Sequence, residues 1–276
     1  MLVRHRSRLL GISFVLLAGL LSAAPSSWAH FVWVETDRLA SPGEDHPISV
    51  YFGEYQEFLR EEAGGRLDTI DGVTLHVIDP KRVHHDIPLT KKGNHFAGHL
   101  PSCIPGRYAV TAHQQDAAVQ DLTKHDMGIV KPLYYARTEF VCYVDGRVGE
   151  RQPEPVPALD LEVLPLSRGL DLSRRSVSSR VGSEIVLKVV FKGAPVVSRP
   201  VLVHSPIGWD KELHTDSQGV ASFHPAWPGF YVVEVEYQEK TPGQFKGKPF
   251  EALRHRATLA VQVIGDDPKE KSNGTK

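Results

Sequence analysis

The sequence predicts an all-β chain: two β-sandwich domains, Ig-like or transthyretin-like, behind a cleaved signal peptide. Three observations predict it. Twenty prolines and 23 glycines punctuate short runs of Val, Ile, Leu, Tyr and Phe. The runs recur at turn spacings of about 8–12 residues, roughly seven to each half. The segment Arg151-Gln152-Pro153-Glu154-Pro155-Val156-Pro157 alternates proline and cannot continue a regular element, so it reads as a linker. The division that follows is a signal peptide over 1–29, a first domain over 30–150, a linker over 151–160, a second domain over 161–264 and a polar disordered tail over 265–276.

Taken in order, His30–Glu35 is the opening strand and Pro47–Gly53 the next. Tyr55–Ala63, rich in Glu, Leu and Arg and stopped by Gly64-Gly65, reads as a helix; the acidic stretch Glu54, Glu57, Glu61 and Glu62 reads as its solvated face, the alternative being carboxylates that complete a site with His30. Val73–Asp79 alternates apolar and polar residues. Asn94–Leu100 and Arg107–His113 flank a Pro101–Gly106 turn, and Leu133–Val144 is a longer aromatic strand. In the second half, Ser183–Lys192 places Ile185, Leu187, Val189 and Phe191 on one face. Arg199–His204 follows, then the turn Thr215–Gly219, then Val220–Phe223, Phe230–Tyr237 and Ala257–Ile264. Trp33, Tyr134 and Tyr135 read as sandwich core, and Trp209 and Trp227 as packed within the second domain.

The leader has a basic start (Arg4, Arg6, Arg8), an apolar run (Leu9 to Leu21) and small residues before the cut (Ser27, Ala29). This predicts a periplasmic or secreted product whose first residue is His30. All three basic leader residues are arginines, so the remainder carries 29 basic and 33 acidic residues. That balance argues against a nucleic-acid partner. No second apolar stretch approaches the roughly 20 residues of a membrane helix, so no membrane span is expected after cleavage. The two cysteines are free to pair across the intervening chain in an oxidising compartment. Cys103 sits in a turn and Cys142 in an apolar strand, and that mismatch favours two buried free thiols.

A terminal histidine offers an imidazole and an α-amine on one residue, and together they can chelate a transition metal. Further histidines crowd the first half, nine of them between residues 30 and 150. His95 and His99 share one strand face, with Ala97 between them. His113 ends a strand and His125 lies in a loop, where sites are often built. The candidate metal ligands are therefore His30, His95, His99, His113 and His125. His84-His85 reads as a solvated hairpin tip. No Gly-x-Ser-x-Gly elbow, no His-Glu-x-x-His and no phosphate-cradling glycine loop is present, so no catalytic residue and no enzymatic activity is expected.

In the second half, Lys192-Gly193-Ala194-Pro195, then Thr215-Asp216-Ser217-Gln218-Gly219, then Trp227-Pro228-Gly229-Phe230-Tyr231 follow a pattern of hairpin, turn and Pro-Gly strand. This resembles the transthyretin-like or carboxypeptidase-regulatory-like fold. Together with Ala29-His30-Phe31-Val32-Trp33 and Leu253-Arg254-His255-Arg256, residues 30–264 resemble a large bacterial family of exported domains of unknown function labelled a nickel-uptake, substrate-specific component. The resemblance implies a non-enzymatic protein that handles Ni or Co for uptake, with an inner-membrane metal transporter as partner. It carries His30 over as a ligand and His255 as a motif match. Members of that family tend to carry a histidine near Tyr237, where this chain has Glu236-Tyr237. Two other readings stay open: a copper-binding protein or oxidase using the His30 chelate, and a metal-free β-sandwich module for protein or glycan contact.

Overall fold

A computed structural model describes residues 30–143, 155–166 and 179–265. The leader, Val144, most of the proline-alternating segment and the tail beyond Gly265 lie outside the described residues. The principal strands, in chain order, are β1 (Phe31–Thr36), β2 (His46–Glu54), β3 (Thr74–Ile78), β4 (His95–Leu100), β5 (Gly106–Gln114), β6 (Ile129–Cys142), β7 (Leu161–Pro165), β8 (Ile185–Phe191), β9 (Pro200–His204), β10 (Asp210–His214), β11 (Val220–Phe223), β12 (Gly229–Glu239) and β13 (Ala252–Ile264). The fold is an all-β sandwich. Its only helical pieces among the described residues are three short 3-10 turns.

One large sheet runs the length of the molecule in the order β10-β9-β12-β13-β6-β5-β3, with His84–Asp86 at its edge. Its centre is a parallel pairing of β6 with β13, from Val130 opposite Ala252 to Arg137 opposite Leu259. A smaller sheet, β1-β2-β4, covers the end built by the first half. A second small sheet, in which β8 pairs with β7 and β11, covers the other end.

Each half has its own core, a third cluster lies between β1 and the β12–β13 pair, and two strands each feed two of these. The first core gathers Val32, Val34, Val50, Leu75, Val110 and Tyr134. The second gathers Leu161, Leu187, Val189, Val233, Leu259 and Tyr135. Tyr134 and Tyr135 are neighbours in β6, and alternation sends them to different cores. β1 does the same. Val32 and Val34 enter the first core, whereas Phe31 and Trp33 pack with Tyr55, Val232 and Ala260 against β12 and β13. That is why four successive residues of β1 are buried: both of its faces are covered.

The structure corrects three expectations. Tyr55–Ala63 is not a helix. Tyr55–Glu57 makes one 3-10 turn, Phe58 takes a left-handed conformation, and Leu59–Arg60 pairs back onto Gly53–Glu54. Gly53 permits this, since a Cβ there would lie 2.1 Å from the Leu59 carbonyl oxygen. Cys103 and Cys142 form a disulfide rather than two free thiols. The register of β5 on β6 sets Gly106 opposite Cys142, which carries the turn holding Cys103 to the strand end. Trp209 and Trp227 are not packed inside the second half; they are 49% and 37% exposed.

Candidate metal centre

His30 is placed by the β1–β2 register. Phe31 stands opposite Gly53, and one step further the antiparallel pairing brings His30 to Glu54. The loop that turns at Phe58 then returns along β2. Glu61 is fixed there by its amide, which donates to the Phe52 carbonyl at 2.8 Å. The two carboxylates approach opposite sides of one imidazole. Glu61 Oε1 meets Nε2 in a close contact, and Glu54 Oε1 lies 2.9 Å from Nδ1. Arg66 Nη1 stands 4.0 Å from Glu61 Oε1 and neutralises part of its charge. The Phe52 ring tilts against the imidazole at 5.3 Å. His30 is only 7% exposed.

The two ring nitrogens differ. Nε2 faces both the Glu61 carboxylate, which only accepts, and Arg66 Nη1, which only donates, at 3.4 Å, and the Glu61 contact is the closer. Nδ1 makes no hydrogen bond although Glu54 is 2.9 Å away, because the approach is off line. A proton on Nδ1, or a cation between the two groups, would each reconcile so close an approach of nitrogen and carboxylate in a buried setting.

The backbone of His30 is anchored from the second half. Arg256 Nη1 donates to the His30 carbonyl at 2.8 Å, and Thr258 Oγ1 donates to the Val32 carbonyl at 2.8 Å. Arg256 is itself held by Glu234, whose other oxygen accepts from His204 Nε2 at 3.1 Å. His204 Nδ1 donates to Asp210 at 2.9 Å. The Phe31 ring stacks on His204 at 5.5 Å. Burial works against a charged His204, but its bonds to Asp210 and Glu234 outweigh it and push its pKa up to about 9. Burial raises the Glu234 pKa, and the Arg256 and His204 charges beside it more than reverse this, holding it well below the usual carboxylate range.

The other predicted ligands lie apart from His30. His95 and His99 do share the outer face of β4, but His95 sits by Asn94 and the Tyr51 ring, while His99 pairs with Asp45 at 2.8 Å. His113 bonds Thr74 at 3.1 Å and stacks on His76 across the large sheet. Burial, then the neighbouring His76, lower its pKa. His125 closes a 3-10 turn before β6. Of the hairpin-tip pair, His85 bonds Asp79 at 3.2 Å. His255 points away from Arg256 into the second core, between Tyr135 at 3.1 Å and Glu239 at 3.2 Å. Among the described residues, no three His, Cys, Asp or Glu side chains stand together as a ready metal cluster.

Sequence reasoning named Glu54 and Glu61 but placed them on a solvated helix. It passed over Arg256, Glu234 and His204. The readable signal was charge inside apolar strands: Glu234 between Val233 and Val235, and Arg254-His255-Arg256 leading into Ala257-Thr258-Leu259.

Fold and geometry thus define an all-β sandwich protein with a buried histidine at the head of its first strand. The chain belongs to a family of domains of unknown function, DUF4198, whose model matches residues 27–239. No curated protein matches it. Among solved structures, a DUF4785 family protein from Legionella pneumophila is similar at 12% identity and a TM-score of 0.28, covering 72% of this chain and 51% of its own. Trypsin-activated alpha-2-macroglobulin from Escherichia coli is similar at 11% identity and a TM-score of 0.28, over 86% of this chain and 16% of its own. A Salmonella alpha-2-macroglobulin mutant matches at 11% identity and a TM-score of 0.27, over 86% and 15%. The chain spans about half the length of the first of these and a small part of the other two. No functional weight rests on likenesses this distant.

Proposed function

We propose that the protein is an exported, non-enzymatic metal-binding protein. Its site is built on His30 and Glu54, with Glu61 holding the imidazole. One observation carries this reading: a buried imidazole nitrogen with no hydrogen bond, facing a carboxylate at 2.9 Å. Processing at the Ala29–His30 bond would free an α-amine on the same residue, so that amine, imidazole and carboxylate would supply three donors. Glu61 on Nε2 is the partner that fixes tautomer and ring orientation in metal-ligating histidines. Nitrogen donors with one carboxylate suit divalent Ni, Co, Cu or Zn alike. Ni or Co handled for uptake, delivered to an inner-membrane transporter, is the cargo that the nickel-uptake resemblance favours. The second half, read as a transthyretin-like module, holds the His30 strand through Arg256 and Thr258.

Calorimetric titration of Ni and Co into two forms tests this: a chain beginning at His30 and one with a single extra residue before it. The extra residue should weaken binding at least about tenfold, because it removes the amine. Equal affinities would remove His30 from the site. Copper would use the same donors, and metal content of the exported protein separates the ions.

A further inference from the structure

A cleft of about 420 Å3 opens beside the Arg256 network, between the second half and the loop after β2. Its walls hold two buried polar atoms with no hydrogen-bond partner. Gln56 Oε1 is an acceptor and Arg254 Nε a donor. Arg254 is 3% exposed, and its Nη2 is already committed to Glu236 at 2.6 Å. Buried polar groups are costly unless partnered, so the cleft is complementary to a ligand that both donates and accepts. A hydroxyl does both. Asp210 and Arg199 add an acceptor and donors along the same walls.

An aromatic surface adjoins this cleft. Phe58 is 65% exposed and lies against Gly208, next in the chain to the exposed Trp209, whose ring meets the exposed Trp227. The two tryptophan rings meet edge to face at 6.0 Å. The Phe58 ring and the Gln56 carbonyl both press on Gly208, where an added Cβ would lie 3.1 Å and 3.5 Å from them. Gln56 and Asp210 therefore join the rings to the cleft. The platform is held firmly: Ser205 Oγ accepts from the Trp209 amide at 2.9 Å, and the Trp227 amide donates to Tyr231 Oη at 3.1 Å.

Rigid exposed rings beside paired donors and acceptors match a ligand with C–H faces and a rim of hydroxyls. We propose that this platform and cleft bind a neutral oligosaccharide. An apolar peptide would cover the rings, but its side chains offer Asp210 and Arg199 no polar partner, whereas the hydroxyls around a sugar ring can reach all four groups. The proposal is independent of the metal site, since it uses none of its ligands.

The test follows tryptophan fluorescence of the full chain titrated with chitotetraose, cellotetraose and maltotetraose, each in turn. At least one should give a saturable change. Trp209→Ala and Gln56→Met should each weaken it at least about tenfold. Gln56→Met should also melt no lower than the parent, because it removes an unpartnered buried acceptor, and so separates lost binding from lost folding. No saturable change with any probe up to about 10 mM, a range in which even weak sites fill, overturns the proposal. So does binding that survives both substitutions, or capture of a protein that needs Trp209 but not Gln56.

Discussion

Replacing His204 by glutamine tests the charge network beneath His30, and its effect is set by pH. In the folded protein the imidazolium donates to both Asp210 and Glu234 while 2% exposed. Its pKa rises from 6.5 to about 9. A group whose folded pKa lies above its unfolded value stabilises the protein fully below the unfolded pKa. That stabilisation fades as pH rises through the folded pKa. At about 1.36 kcal/mol per unit, the shift corresponds to about 3 kcal/mol present near pH 6 and gone above about pH 9. Glutamine keeps a donor toward Glu234 but carries no proton to lose. Urea denaturation of parent and His204→Gln from about pH 6 to pH 10 reads the difference directly. The stability gap should be constant near pH 6 and shrink by about 3 kcal/mol toward pH 10. A gap that does not change with pH would refute a charged His204 and the chain of bonds from Asp210 to Arg256.

Other outcomes follow from the same reasoning. The double substitution Cys103→Ser with Cys142→Ser should cost about 4 kcal/mol, the loop-closure entropy released by a disulfide spanning a separation of 39 residues. Calorimetry should show a melting point lower by about 8–16 °C, and a reductant that leaves the parent unchanged would contradict the pairing. Glu162→Ala removes one of the two carboxylates on the buried Arg137 guanidinium, the one at 2.6 Å, leaving Glu139 at 2.7 Å, and strands two backbone amides at Ala158 and Leu159. It should destabilise by about 3–5 kcal/mol in denaturant titration, and a loss below about 1 kcal/mol would show that Glu139 alone suffices. Glu61→Gln should lower Ni affinity about 10–100-fold in the calorimeter while the melting point barely moves; unchanged affinity would dissociate Glu61 from ring orientation.

The strands were legible because their signal is local. Val73–Asp79 and Ser183–Lys192 alternate, and Asp216 in the 215–219 turn accepts from the Gln218 and Val220 amides at 2.8 and 2.9 Å, as its composition anticipates. The acidic stretch after β2 was misread because its composition favours a helix. Gly53 and the pairing of Leu59–Arg60 onto β2 override that preference, a tertiary effect that propensity does not contain. His95 and His99 lie on one face as their spacing requires, yet His95 meets Asn94 and Tyr51 while His99 pairs with Asp45, and spacing says nothing about those partners.

By itself the sequence determined the fold class, the turns and the distinctive histidine at residue 30, since periodicity and turn chemistry act within a few residues. Only the tertiary structure decided that His30 lies between Glu54 and Glu61, that Arg256 reaches it from the far end of the chain, and that Trp209 and Trp227 face solvent. Each of those depends on which strands pair and in which register. That is a non-local choice, made by how two cores and one shared sheet are filled together.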